Sequence, residues 1–247
     1  MYLLVVHTDD VAALWLYRQL RQLGFGQLEL LSIEQLQHNR ELTMWQQGGK
    51  AAFRIALQDG RRFDSENVDG LLNRVRYLDF ASASAFQSGD RDYVAAELSA
   101  IFTCWGSAFG ESGSVFNTVT TSGFGGRDRS EAEWLLLARS AGLRTAAFYQ
   151  DCTGAFYQAA QVPAHETWEV LVFRGQCFCA ARHLPPELAE RCADLQQRIE
   201  EHLIGIRLGE IHGEPTFLSA TMHPDLRAGG MPFVEHLQLW LEQMSLL

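Results

Sequence analysis

The chain opens with a strand, a helix and a second strand, and this order sets the fold class. Residues 2–7 are almost all apolar, which is typical of a strand with both faces covered. Asp9 or Asp10 can cap the helix that follows, whose apolar residues recur at helical spacing until Gly24. Residues 28–33 predict the second strand. This β-α-β opening predicts an α/β protein.

The carboxyl end of the first strand carries polar residues that form a candidate ligand site. His7, Asp9 and Asp10 follow the strand, at the position where open α/β sheets bind ligands. The glycine-rich turn of a dinucleotide site is absent from this segment of the sequence. The alternative is that these residues serve only as a capped helix start.

A second polar group is expected at the end of a later strand. Asn73, Arg74 and Arg76 close an apolar run. Alternation predicts that Arg74 and Arg76 point to one face, where they can bind a carboxylate. The alternative is ion pairing with Asp69 or Asp79.

Charge and composition exclude several classes of partner. The chain has 247 residues, with 20 basic and 30 acidic side chains and a formal net charge of −10. General binding to nucleic acid or an anionic membrane needs a positive surface, so neither partner is expected. The sequence has no apolar run long enough to span a bilayer, and its N-terminus lacks a basic signal-peptide region, so a cytoplasmic location is expected. Lys50 is the only lysine, which leaves almost no candidate for a buried phosphate-binding lysine.

Neither the cysteines nor the histidines indicate a metal centre. The five cysteines lack zinc-site spacing and are expected to be small buried residues in a reducing compartment. Cys104 lies mid-helix beside Trp105, where burial is expected. His212, His223 and Asp225 lack the i, i+4 spacing of a helical metal pair, so we expect loop residues there.

Three pairs of alternating runs predict β-hairpins. They are residues 42–57, residues 168–180 with Gly175 at the turn, and residues 206–221 with a turn at 212–215.

Three segments resemble parts of the ATP-grasp ligases. The last hairpin of that family carries an Asp on one strand and reads Phe-Leu-Glu-x-Asn-Pro on the next, whereas residues 217–221 read Phe-Leu-Ser-Ala-Thr. Residues 68–76 resemble a preamble strand of RimK-like ATP-grasp proteins, especially the peptide ligases that make microviridin-type lactones and lactams. Residues 140–145 resemble the phrase that closes a family helix.

The resemblance implies an α/β fold in two parts. Residues 1–145 would form a preamble-like domain, a mixed sheet flanked by helices, and residues 146–247 a reduced C-terminal ATP-grasp-like half. In the family, many tens of residues between these parts form a central subdomain that binds nucleotide. The hairpin at residues 168–180 follows too soon to leave room for it. The chain therefore resembles a degenerate ATP-grasp protein that lacks this subdomain.

The resemblance also implies that former ligand positions are degenerate. Arg207 stands near the family's Asp, Ser219 replaces its Glu, and Thr221 stands near its Asn. In the family these oxygens hold the magnesium ions that bridge the ATP phosphates, because hard cations prefer oxygen ligands. Val170 falls near a family Arg.

Two functions follow from the resemblance. The first is a non-catalytic protein without cofactor or metal, which binds a precursor peptide or a partner modifying enzyme in ribosomal peptide natural product biosynthesis. An exposed sheet edge would serve strand addition or a homodimer interface. The second is an active ATP-dependent carboxylate–amine ligase that uses ATP and Mg²⁺ with rewired contacts. Its candidate phosphate ligands are Arg74, Arg76, Arg127, Arg129 and Arg174.

A third hypothesis places a different small-molecule enzyme at the end of the first strand, around His7 and Asp10.

Overall fold

A computed structural model describes residues 1–47, 50–79, 87–120, 123–146, 148–150, 156–158 and 166–245. Contacts divide the chain into two compact units. The first unit is Met1–Arg127 with Trp240–Leu247, and the second is Asp128–Leu239.

The first unit is built on a three-stranded parallel sheet. Its strands are β1 (Tyr2–Val6), β2 (Leu28–Ser32) and β6 (Gly70–Asn73), with β1 in the middle. Helix α1 (Val11–Gln22) connects β1 to β2. Asp10 caps this helix, because its Oδ1 accepts the backbone N–H of Ala13 at 2.9 Å. The predicted β-α-β opening is confirmed.

A separate antiparallel sheet follows in the same unit. It contains β3 (Glu41–Gln47), β4 (Lys50–Ala56) and β5 (Arg62–Asp64). The first predicted hairpin is confirmed, although its turn at residues 48–49 lies outside the described residues. The unit also contains α2 (Ile33–Gln37), α3 (Arg91–Ser107) and α4 (Gly110–Gly113).

Both sheets of the first unit share one core. Leu3 and Val5 of β1, Phe53 of β4 and Trp105 of α3 belong to the same buried cluster. The rings of Phe53 and Trp105 meet edge to face with centroids 6.0 Å apart. The α/β class is confirmed, with the parallel and antiparallel strands in separate sheets.

The second unit carries the remaining strands. Its elements are α5 (Glu131–Ser140), β7 (Phe148–Gln150), β8 (Phe156–Gln158), β9 (Thr167–Phe173), β10 (Gln176–Phe178), α6 (Pro186–Ile199), β11 (Leu203–Ile211), β12 (Glu214–Thr221), a short 3-10 helix (Leu226–Gly229) and most of α7 (Gly230–Met244). Strands β7 and β8 pair with each other, and the other four form an antiparallel sheet in the order β10-β9-β11-β12.

Two tight turns shape this four-stranded sheet. The hairpin β11–β12 closes through His212 and Gly213, whose φ angles are 54° and 76°. A two-residue turn with both φ values positive matches the twist of the strands, so it replaces the predicted four-residue turn. Gly175, with φ 82°, lies at the β9–β10 turn as predicted. Both predicted hairpins are confirmed.

Helix α5 belongs to the second unit. Its Trp134, Leu135 and Ala138 share a buried cluster with Val170 of β9 and Ile206 of β11. The contacts therefore divide the chain after Arg127. The assignment of residues 1–145 and 146–247 to a preamble-like and a reduced ATP-grasp-like part stays a prediction.

Across the described ranges, no helix is both long enough and apolar enough to cross a lipid bilayer.

Candidate functional site

The polar residues at the ends of β1 and β6 meet, because the two strands are parallel neighbours. Nε of Arg74 donates to Oδ2 of Asp10 at 2.9 Å. Their side chains are 2% and 14% exposed. Asp10 also caps α1 through its other oxygen. Arg74 thus forms an ion pair as the alternative hypothesis required, but its partner is Asp10 and not Asp69 or Asp79.

Asn73 is held by backbone groups on both sides of its amide. It is 3% exposed. Its Nδ2 donates to the carbonyl oxygen of Phe124 at 2.6 Å, and its Oδ1 accepts the N–H of Val75 at 3.0 Å. The side chain therefore ties the end of β6 to the segment at Phe124.

The residues at the ends of β1 and β6 form a group that we call the strand-end cluster: His7, Asp9, Asp10, Asn73, Arg74, Arg76 and Tyr77. Its more exposed part is aromatic and basic. The backbone N–H of Arg76 donates to Nε2 of His7 at 3.3 Å, which requires that nitrogen to be unprotonated. The His7 and Tyr77 rings lie 4.7 Å apart between centroids, and Tyr77 is 63% exposed. Asp9 beside them is exposed. Sequence reasoning missed Tyr77, although its position next to Arg76 was a usable signal.

The expectation that Arg74 and Arg76 share a face is wrong. Strand β6 ends at Asn73, so the two-residue period of a strand no longer applies beyond it. Arg74 is buried and Arg76 is exposed.

A second polar surface lies on one face of the second unit's sheet. Arg207 on β11 lies opposite Ser219 of β12 and opposite Glu169 of β9, and Gly205 lies opposite Thr221. Side chains on adjacent strands at paired positions project to the same face. We call the surface formed by these five residues the open face. Arg207, Ser219 and Thr221 are exposed, and Glu169 is partly buried.

The opposite face of this sheet is core. Val170, Ile206 and Leu208 are all 0% exposed and pack in the buried cluster of the second unit. Val170 therefore points away from the open face, and its neighbour Glu169 occupies that face instead.

Comparisons with known proteins identify the fold. No family model matches the chain, and no curated protein matches its sequence. The macrocyclase MdnB of Microcystis aeruginosa MRC aligns with a TM-score of 0.72 at 15% identity, covering 97% of this chain and 98% of that one. A Chryseobacterium gregarium RiPP-associated ATP-grasp ligase, solved with ADP and a leader and core peptide, aligns with a TM-score of 0.68 at 11% identity. The alignment covers 98% of this chain and 97% of that one. The chain has the ATP-grasp ligase fold.

A third structure extends the likeness to the full length. Macrocyclase MdnC, bound with the precursor peptide MdnA, aligns with a TM-score of 0.68 at 11% identity over 100% of both chains. The resemblance to RimK-like ATP-grasp proteins is confirmed at the level of the fold.

The open face does not fit the magnesium ions of an ATP-grasp ligase. Magnesium prefers several carboxylate and other oxygen ligands, whereas the open face has one carboxylate, Glu169, beside the cation Arg207 and the neutral hydroxyls of Ser219 and Thr221. The Thr221 hydroxyl oxygen already accepts the N–H of His223 at 3.1 Å. Within the described ranges, no three His, Cys, Asp or Glu residues lie together as a metal site.

Two of the five candidate phosphate-binding arginines, Arg129 and Arg174, contact other groups of the protein. Arg129 lies over the Trp134 ring at 5.4 Å and donates to the carbonyl of Ile199 at 3.2 Å. Arg174 lies in the β9–β10 turn with φ 48°, and its Nη2 is 3.0 Å from Nδ1 of His202. Burial lowers the pKa of Arg174.

The cysteines of this ATP-grasp fold differ in exposure. Burial raises the pKa of the Cys177 thiol to about 11 and also raises the pKa of Cys192. Cys104 is exposed, so its predicted burial is wrong. It lies on α3, whose neighbouring Trp105 takes the core position. Cys152 lies outside the described residues.

Proposed function

We propose that this chain is a non-catalytic ATP-grasp-like protein that binds a peptide, or a partner modifying enzyme, in the modification of a ribosomally made peptide. The main support is Arg207, which stands with Ser219 and Thr221 on the open face, where the ATP-grasp resemblance expects magnesium ligands. The peptide partner is supported by two similar structures that contain a precursor peptide or a leader and core peptide.

The charge of Arg207 opposes the chemistry of a ligase. An ATP-grasp ligase must neutralise the charge that develops as an acyl phosphate forms, and it does so with metal ions and cationic side chains around ATP. Two unit charges 4 Å apart interact by about 1 kcal/mol in water and about 4 kcal/mol near a protein surface. A divalent cation beside the Arg207 guanidinium would meet repulsion of at least this order. An arginine near the position of the family's Asp therefore fits a protein that does not bind magnesium at this face.

The exposed part of the strand-end cluster is the candidate peptide surface. His7, Arg76 and Tyr77 combine two rings in contact with a cationic side chain. Aromatic and arginine side chains are enriched where proteins bind peptides and other proteins. In this proposal, Asn73 and the Asp10–Arg74 pair position the surface without touching the peptide, and Asp9 lies at its rim.

Calorimetric titration with the short peptides encoded beside the gene tests the proposal. Tyr77→Ala should weaken binding about tenfold or more, as expected for an interface aromatic, without a change in thermal stability. Tyr93→Ala is the matched control, because Tyr93 is 69% exposed on α3. Failure of every such peptide to bind would contradict the peptide-binding function.

The alternative function is an active ATP-dependent carboxylate–amine ligase with atypical contacts to ATP and Mg²⁺. It is favoured by the bound ADP of the Chryseobacterium gregarium ligase, which shares the fold. It predicts nucleotide binding that depends on magnesium, whereas the non-catalytic function predicts none.

A further inference from the structure

We propose that the open face binds a carboxylate group directly through Arg207, without a metal ion. This inference rests on the proposed loss of catalysis, and it names the class of ligand that the former metal face now takes. In place of the metal, the guanidinium would supply the positive charge that binds an acidic side chain or the C-terminal carboxylate of a peptide.

Arg207 is available for a ligand because its cross-strand neighbour turns aside. Glu169 lies directly opposite Arg207 in the sheet. Yet a Cβ added at Gly205 would overlap Oε1 of Glu169, so the carboxylate leans along the strand into the space above Gly205. Within the described residues, the Arg207 side chain forms no ion pair or hydrogen bond. The missing side chain at Gly205 leaves the space that the Glu169 carboxylate and the Pro224 ring occupy.

The open face is bounded at one end. Leu171 and Phe173 continue the same face along β9 beyond Glu169. Phe173 is covered by Phe233 of α7, with ring centroids 6.0 Å apart. Leu171 lies under Gly229, where a Cβ would come within 3.0 Å of its Cδ2. The open face therefore ends where α7 and the segment at Gly229 cover β9.

Hydroxyl groups complete the donor set. Ser219 lies directly across from Arg207, and Thr221 is two residues further along the same strand face. A guanidinium donates two parallel N–H bonds to a carboxylate, and each hydroxyl can donate one more to its remaining lone pairs. The Thr221 oxygen accepts from the backbone of His223, which leaves its hydroxyl hydrogen to donate.

The charge of the face selects a monoanion. The formal charges of the Arg207 and Glu169 side chains sum to zero, and a bound carboxylate adds one negative charge. A phosphate dianion or the triphosphate of ATP would add two or more beside Glu169, in a chain with a formal net charge of −10. Like charges a few ångströms apart repel by about 1 to 4 kcal/mol per pair, so a carboxylate is preferred over a phosphate.

A titration followed by backbone amide shifts in ¹⁵N NMR tests this inference in the intact chain. The probes are the capped tripeptides acetyl-Ala-Glu-Ala-amide, its Gln counterpart and its phosphoserine counterpart. The Glu probe should shift amides of β11 and β12, and the other two should bind more weakly. Equal response to the Gln probe, or tighter binding of the phosphoserine probe, would overturn the inference.

Variants at the two charges sharpen the test. Arg207→Gln should reduce affinity for the Glu probe about tenfold, which is typical of a lost charge-assisted pair. Glu169→Gln keeps the shape of the side chain and should raise affinity severalfold. Arg198→Gln is the control, because Arg198 is an exposed arginine on α6 that pairs with Asp194 and lies off the open face. Unchanged affinity in Arg207→Gln, or lower affinity in Glu169→Gln, would contradict direct binding at Arg207.

The inference and the proposed function can fail separately. A chain that binds a precursor peptide and ignores ATP, but shows no effect of Arg207→Gln on the Glu probe, would retain the proposed function and lose this site. Magnesium-dependent binding of ATP on β11 and β12 would overturn both.

Discussion

Arg74 and Asp10 form a buried ion pair that joins the ends of two neighbouring parallel strands, with Nε and Oδ2 2.9 Å apart. Through its two oxygens, Asp10 joins this pair to the start of α1, next to the loop that carries His7 and Asp9. It is a structural support of the candidate peptide surface.

Removal of the negative partner should destabilise the first unit strongly. Asp10→Asn leaves the Arg74 guanidinium buried without its carboxylate, and breaking a buried pair in this way costs about 3 to 5 kcal/mol in free energy of unfolding. Urea denaturation measures the change. Asp9→Asn is the control, since Asp9 is exposed, and it should stay within about 0.5 kcal/mol of the parent chain. A change below about 1 kcal/mol in Asp10→Asn would show that the pair is not a support.

A glycine permits the close approach of two backbone segments at the same strand end. A Cβ at Gly125 would overlap the carbonyl oxygen of Arg76 and lie 3.1 Å from its Cα. Because backbone atoms cannot move aside as a side chain can, Gly125→Ala should lower the free energy of unfolding by about 1 to 3 kcal/mol. Gly89→Ala is the control, since nothing lies within 4 Å of its Cβ position. Equal urea midpoints for the two variants would contradict the close approach.

The thiols should react in the order of their exposure and pKa. With a pKa of about 11, Cys177 is about 0.1% thiolate at pH 8, and its thiolate fraction should rise about tenfold per pH unit up to that value. Iodoacetamide should therefore modify the exposed Cys104 well before Cys177 or Cys192 in the native chain. Mass mapping of each cysteine against time and pH measures this order. Faster labelling of Cys177 than of Cys104 at pH 8 would show that the thiol is not buried.

Local patterns in the sequence predicted much of the fold. Helix starts are one example: Asp10, one of the two candidate caps, accepts the N–H of Ala13, and that contact depends only on residues three apart. The hairpins were equally predictable, because Gly175 and Gly213 mark turns with positive φ.

Features that depend on register were not predictable from one sequence. The resemblance to ATP-grasp ligases put Val170 near a family Arg. Adjacent strand residues face opposite ways, however, so Val170 lies in the core and Glu169 on the open face. The Arg74–Asp10 pair likewise depends on how β6 lies beside β1 across more than sixty residues of sequence. The spacing of neighbouring residues in the sequence does not predict contacts between segments so far apart.

The same limit applies to helix α3. Cys104 and Trp105 are neighbours in sequence, yet Trp105 is 0% exposed and Cys104 is exposed. Only the packing of α3 on the antiparallel sheet decides which of the two faces the core.

Thermal unfolding in the presence of ATP and Mg²⁺ tests the central claim most directly. A ligand that binds only the folded chain adds about 2.7 kcal/mol to the free energy of unfolding at a hundred times its dissociation constant. With Arg207 on the open face, we predict that millimolar ATP and Mg²⁺ give the same melting temperature as ATP with EDTA. A saturable rise in melting temperature that requires Mg²⁺ would contradict the account and favour an active ligase.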